Sequence, residues 1–141
     1  MGKKRIVTQK SGDAASKSSA ARVPKKKLTS GTLHIEATFN NTKVVFSDKQ
    51  GNTIFWSSAG SLGFKSAKKG TPFAASKVGE VLGEKAAAIG VKEADAIICG
   101  VGSGRESVIR AFMSFGIEIT GIKDMTPVPH NGPKPKKPRR V

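Results

Sequence analysis

The sequence has one cysteine, one tryptophan, no tyrosine and only 10 acidic residues among 141. A single thiol, Cys99, closes no internal disulfide and builds no zinc cluster, which suits a reducing compartment. No run approaches the ~18 consecutive apolar residues of a membrane-spanning helix. The basic start, Met1-Gly2-Lys3-Lys4-Arg5, leads into polar residues rather than the apolar core of a signal peptide, and Ile6 stands where a myristoylation signal has Ser or Thr. Export, membrane insertion and lipid anchoring are therefore not expected. Aromatic residues make up 6% of the chain, with no interleaved pair of the kind that forms a base-stacking platform on an RNA-recognition sheet. Trp56, Phe64, Phe73, Phe112 and Phe115 are accordingly read as core or loop anchors, and Cys99, between apolar neighbours, as an inert core thiol.

Against the shortage of acid stand 25 Lys and Arg, giving a formal charge of +15. A surface this basic attracts polyanions, and a metabolic enzyme has no general need of it. The charge is uneven: residues 1–27 carry nine basic residues and one acidic, residues 28–125 eleven and nine, and residues 126–141 five and none. Five of the seven prolines fall in the last segment. Neither end can bury enough apolar surface to offset its ordering entropy. The expected organisation is a globular domain over 28–125 between a basic arm over 1–27 and a basic Pro-rich, RNA-binding tail over 126–141, both extensions disordered when free. Solvated ends or a localisation signal would explain such arms, but basic extensions at both ends of a small domain point to nucleic acid.

Residues 32–39 alternate strictly, with Leu33, Ile35, Ala37 and Phe39 on one face of a half-buried strand and Thr32, His34, Glu36 and Thr38 on the other. A two-residue Asn40-Asn41 turn would set Phe39 opposite Thr42 and Ile35 opposite Phe46. A third strand is expected over 53–58. Thr71-Pro72 reads as a helix N-cap followed by proline at the first helical position; the helix should run to Ile89, end at Gly90 and bury Ala74, Val78, Val81, Leu82 and Ile89. Residues 95–99 read as a strand covered on both faces, residues 105–115 as a second helix, and 117–122 as a fifth strand in a right-handed parallel crossover. The fold class is thus α/β, a five-stranded mixed sheet flanked by helices in a ribonuclease-H-like order of elements.

Gly100-Val101-Gly102-Ser103-Gly104-Arg105 joins the fourth strand to the second helix, where Ser103 and Glu106 match a capping box. Such a loop either makes a tight strand-to-helix turn or cradles a phosphate beside Arg105. The element order also admits a metal-dependent nuclease, which needs several carboxylates converging on two ions. Glu36, Glu80, Glu84, Asp95 and Asp124 are the available groups, but Glu80 and Glu84 flank Lys77 and Lys85 as on a solvated helix face. Neither His34 nor His130 has the spaced partners of a metal site or a triad. No cofactor, metal or catalytic residue is expected. Asn131-Gly132 is a deamidation hot spot, since glycine leaves its backbone nitrogen open to the Asn side chain.

Several runs are too long to be generic: Phe39-Asn40-Asn41-Thr42, Trp56-Ser57-Ser58-Ala59-Gly60, Gly63-Phe64-Lys65, Thr71-Pro72-Phe73-Ala74-Ala75, Gly104-Arg105-Glu106-Ser107 and Asp124-Met125-Thr126-Pro127-Val128-Pro129-His130-Asn131-Gly132. In this order and spacing the chain resembles the family of universal small-subunit ribosomal protein eleven, over residues 28–141. It departs from the family pattern at Val101, Met125 and Pro133-Lys134. The resemblance implies a non-enzymatic component of the small-subunit platform in cytoplasmic ribosomes, binding small-subunit ribosomal RNA near the messenger-RNA exit region. It further implies small-subunit proteins seven and eighteen as neighbours and initiation factor three nearby. By the same resemblance the RNA-binding residues would be Asn40 and Asn41, then Phe64, Lys65, Lys68 and Lys69, then Arg105 and Arg110, and in the tail His130, Asn131, Lys134, Lys136, Lys137, Arg139 and Arg140.

Overall fold

The computed structural model describes residues 27–138 and residue 140. The expected N-terminal arm, but for Lys27, and Arg139 lie outside the described residues.

Eight elements follow one another: strands β1 (Ser30–Ala37), β2 (Thr42–Ser47) and β3 (Thr53–Ser58), a 3-10 turn Ser66–Gly70, helix α1 (Pro72–Ile89), strand β4 (Glu93–Cys99), helix α2 (Arg105–Met113) and strand β5 (Glu118–Asp124). They build a five-stranded mixed sheet in the order β3-β2-β1-β4-β5. β1–β2 and β2–β3 are antiparallel, whereas β1–β4 and β4–β5 are parallel. β1, β3, β4 and β5 consequently all point the same way, and the segments leaving their C-terminal ends emerge at one end of the sheet.

Alternation decides which face is buried. Leu33, Ile35 and Ala37 of β1, Val44 and Phe46 of β2, and Ala94, Ala96 and Ile98 of β4 pack against Ala74, Ala75, Val78 and Leu82 of α1 and Val108 and Phe112 of α2. Phe46 stacks on Phe55 with ring centroids 5.0 Å apart and tilts against Phe112 at 6.2 Å, offset arrangements that aromatic quadrupoles favour. α1 begins as expected: the Thr71 side chain accepts from the Ala74 amide at 3.3 Å, and Gly90 at φ 97° closes the helix. The left-handed conformation that ends it is one glycine adopts without a Cβ penalty. Where the two helices cross, a Cβ on Gly79 would lie 2.7 Å from the Val108 carbonyl oxygen, and one on Gly83 2.5 Å from the Phe115 ring. These two glycines join the buried face of α1, while Val81 is only half-buried.

Five expectations are corrected. The β1–β2 turn is not Asn40-Asn41: Ala37 faces Thr42 and Ile35 faces Val44, which moves the tip to Phe39-Asn40. Thr38 and Asn41 close the turn instead, the Thr38 amide donating to the Asn41 carbonyl at 2.8 Å and the Asn41 amide to Thr38 Oγ1 at 3.0 Å. A two-residue shift preserves side-chain parity, so the apolar faces still match, but Phe39 leaves the core and stands 76% exposed. β4 is covered on one face only, because both helices pack on the same side of the sheet; Cys99 is half-buried beside Ile97 on the open side and is no core thiol. On that face His34 Nε2 lies 3.0 Å from Ser47 Oγ. The anchor reading holds for Phe112, which is fully buried, but Trp56 is 59% and Phe73 63% exposed. The capping box does not form: Gly104 is the N-cap of α2 without a side-chain bond, and Ser103 Oγ donates to the Gly70 carbonyl at 3.0 Å. Finally α2 ends at Met113, two residues early, where Ser114 Oγ takes the Ala111 carbonyl.

Thr42 is fully buried and its Oγ1 has no hydrogen-bond partner among the described residues. A buried hydroxyl without a partner is destabilising by about 1–3 kcal/mol. Thr42→Val, nearly isosteric, is expected to leave the thermal midpoint unchanged or raise it; a clear drop in a melting curve would show that the hydroxyl is bonded.

Candidate nucleic-acid interface

Three loops converge on the outgoing end of β1. A Cβ at Gly100 would meet the Ala37 carbonyl oxygen at 2.2 Å, one at Gly102 the Thr38 oxygen at 2.4 Å, and one at Gly70 the Phe39 oxygen at 2.1 Å. The Gly102 amide donates to the Ala37 carbonyl at 2.8 Å. Three successive carbonyls of the hairpin are thus seated against three glycines from two other loops, a fit that any side chain would prevent. The glycine-rich loop after β4 is therefore the tight turn of the two sequence readings: Gly100 and Gly102 face the hairpin backbone, and Gly104 the side chains of Thr42 and Ala75.

This convergence assembles the residues singled out from sequence. Asn40 is exposed at the tip, and Asn41 is half-buried beneath it with its Oδ1 enclosed and unpartnered among the described residues. Beside them the 59–71 loop carries Phe64, half-buried, Lys65 and Lys68, exposed, and Lys69, half-buried. Phe64 meets Phe73 edge to face at 6.0 Å, and the Lys77 ammonium lies 5.6 Å from the centre of the Phe73 ring. The hairpin turn, the 59–71 loop and the 100–105 loop contain four cations and no carboxylate.

Arg105 and Arg110 come together on α2, lining a cleft of about 560 Å³ with Ser103, Ser107, Ile109 and Ile122. Neither is unengaged. Arg110 lies 3.4 Å from Glu106 in an exposed pair, worth little, and Arg105 bonds to Asp124. Asp124 Oδ1 also accepts from the Thr126 amide at 2.9 Å and from Thr126 Oγ1 at 2.6 Å, and Thr126 Oγ1 accepts from the Gly100 amide at 3.2 Å. The Met125 amide continues the strand pairing to the Ile98 carbonyl at 2.8 Å. Arg105 thus clamps the root of the basic tail to the glycine-rich loop, a role the sequence did not disclose because its partner lies 19 residues away.

The bonds from Thr126, and after them Arg105, hold the Asp124 carboxyl down from its ordinary 3.8 to about 2. A carboxyl depressed in the folded chain stabilises it fully above the unfolded pKa, and that contribution is lost as pH falls through the folded one. The clamp is expected to be complete above about pH 4 and to open as pH falls through about 2; a carboxyl-carbon NMR titration of Asp124 with a midpoint near 4 would refute it. Arg105→Glu, which sets two carboxylates side by side, is expected to speed exchange of the Thr126 amide.

Beyond the clamp His130, Asn131, Lys134, Lys136, Lys137 and Arg140 are exposed and outside regular structure. Asn131 adopts φ 54° ahead of Gly132. Peptide mapping of the aged free chain is expected to find isoaspartate at Asn131 well before Asn40, which lacks a following glycine; equal rates would reject the assignment.

The carboxylates considered for metal chemistry do not converge. Glu36 pairs with Lys43 and Glu80 with Lys77, each at 3.0 Å, Asp95 accepts from Thr120, and Asp124 is engaged as above. Among the described residues no three His, Cys, Asp or Glu side chains are grouped so as to hold a metal ion, nor is any helix long and apolar enough to cross a membrane.

Residues 31–140 match the family model described as Ribosomal protein S11. The chain is 51% identical over 128 residues to a small ribosomal subunit protein uS11 of Solibacter usitatus (strain Ellin6076), covering 91% of this chain and 95% of the relative. It is 48% identical, again over 128 residues, to a small ribosomal subunit protein uS11 of Parvibaculum lavamentivorans, covering 91% of this chain and 99% of the relative.

Proposed function

The chain belongs to the ribosomal protein S11 family, and from that premise we propose that it binds and bridges ribosomal RNA helices in the platform of the small subunit, near the messenger-RNA exit region. It is a small-subunit ribosomal protein and not an enzyme. Its contact surface is the end of the sheet where the hairpin tip, the lysine loop and the tail root meet. The observation that carries this reading is that these segments leave the C-terminal ends of β1, β3, β4 and β5 together, and that their three loops hold cations without a carboxylate.

The physical role is charge neutralisation. Where two RNA helices approach, their phosphates repel, and Lys65, Lys68 and Lys69 on the loop with Lys134, Lys136, Lys137, Arg139 and Arg140 on the tail supply the counter-charge. The folded core sets where those cations start. Asn40, Asn41, Phe64, Arg105, Arg110, His130 and Asn131 complete the surface. Small-subunit proteins seven and eighteen are its protein neighbours, initiation factor three docks close by, and the setting is the cytoplasmic ribosome. Binding of the purified full chain to small-subunit ribosomal RNA, in competition with unrelated RNA of equal length, tests this. A preference that persists as salt rises supports the reading; equal affinity for both RNAs would overturn it.

A further inference from the structure

Phe39 is the most exposed large apolar side chain of the described residues, 76% accessible at the tip of the β1–β2 turn. A phenylalanine in a loose loop would turn inward, since burying one is favourable. Here the backbone forbids it: the Phe39 carbonyl is set against Gly70, the Thr38 carbonyl against Gly102, and Thr38 and Asn41 exchange backbone and side-chain hydrogen bonds beneath the tip. The ring is thus presented by a rigid support rather than left exposed by disorder.

Its surroundings select the occupant. Lys68 and Lys69 immediately precede the glycine under the Phe39 carbonyl, Lys65 lies in the same loop, and none of the three converging loops has a carboxylate. An apolar ring at the tip of a hairpin seated against a loop whose only charged residues are lysines complements a ligand that joins a π-face to negative charge. We propose that Phe39 stacks on one unpaired nucleobase of the ribosomal RNA, while the adjoining lysines hold the flanking phosphates. This rests on the RNA-binding reading above and adds to it a base-contacting residue. A single presented ring gives one stacking contact and no sequence code, because every base has a π-face.

The full chain and its F39A, F39L and F39W variants should be titrated against small-subunit ribosomal RNA at several salt concentrations, with melting curves as folding controls. F39A and F39L are expected to lose about 5- to 150-fold in affinity, the range for one stacked base. The slope of log K against log salt should stay at its wild-type value, since no cation is removed, and F39W should bind as wild type. Wild-type affinity for F39A would overturn the proposal; if that variant were then excluded from assembled subunits, the ring would belong to a protein contact instead. Retained affinity in F39L alone would replace stacking with apolar packing, which also overturns it. A wild-type chain without preference for ribosomal RNA would instead refute the underlying reading.

Discussion

Replacing Gly102 by alanine is expected to destabilise the chain by at least about 1–3 kcal/mol, the usual cost of forcing volume into a packed site, and to weaken RNA binding with it. The added methyl would stand 2.4 Å from the Thr38 carbonyl oxygen and 2.9 Å from the Ala37 carbonyl carbon. Both are backbone atoms of a hairpin already held by the sheet, so neither can rotate away. The hairpin must lift or the loop must withdraw, and either breaks the Gly102 amide bond to Ala37. Gly60→Ala is the control: its Cβ would meet nothing nearer than the Lys69 side chain, at 3.6 Å, so its stability should change little. Denaturant melts of the two variants read the difference, and a Gly102→Ala chain as stable as wild type would mean that the loop does not seat the hairpin.

That seat also marks the limit of what the sequence could disclose. Period-two alternation located β1, the Thr71-Pro72 start and Gly90 stop bounded α1, and the β4–α2–β5 crossover followed from spacing. Such signals are local, each depending on residues within a turn or a strand of one another. The local Asn-Asn preference puts the tip of the hairpin one residue too late, because its seat against Gly70 and Gly102 lies 30 residues or more further along the chain. Ser103 likewise satisfies its hydroxyl on Gly70 rather than in the capping box that its neighbours spell out. For the interface, the cations were legible as composition, but their assembly at one end of the sheet needed the strand order. The common direction of β1, β3, β4 and β5 is a product of long-range pairing.

Removing residues 128–141 is the second large change. It deletes Lys134, Lys136, Lys137, Arg139 and Arg140 but leaves Asp124, Met125 and Thr126, so the tail root stays clamped and the sheet keeps its β5 pairing. The globular part should therefore melt as the full chain does, while RNA affinity falls. If all five cations neutralise phosphates, the salt slope becomes shallower by at most about 3.5 at ~0.7 per contact for single strands, or about 4.5 at the duplex value of ~0.9. A truncated chain with an unchanged slope would remove the tail from the RNA interface and leave the loop lysines alone with that role. Coupling to the clamp is separable: Asp124→Asn keeps every tail cation, so it should loosen the tail root and leave most of the slope in place.

The most direct test of the central claim is sedimentation of the tagged full chain with separated ribosomal subunits through gradients of rising salt. A structural component gripping RNA with both its folded end and its tail should travel with the small subunit, stay absent from the large one, and persist at salt concentrations that strip nonspecifically bound basic proteins. Release into the unbound fraction at moderate salt, or equal partition between the two subunits, would contradict it.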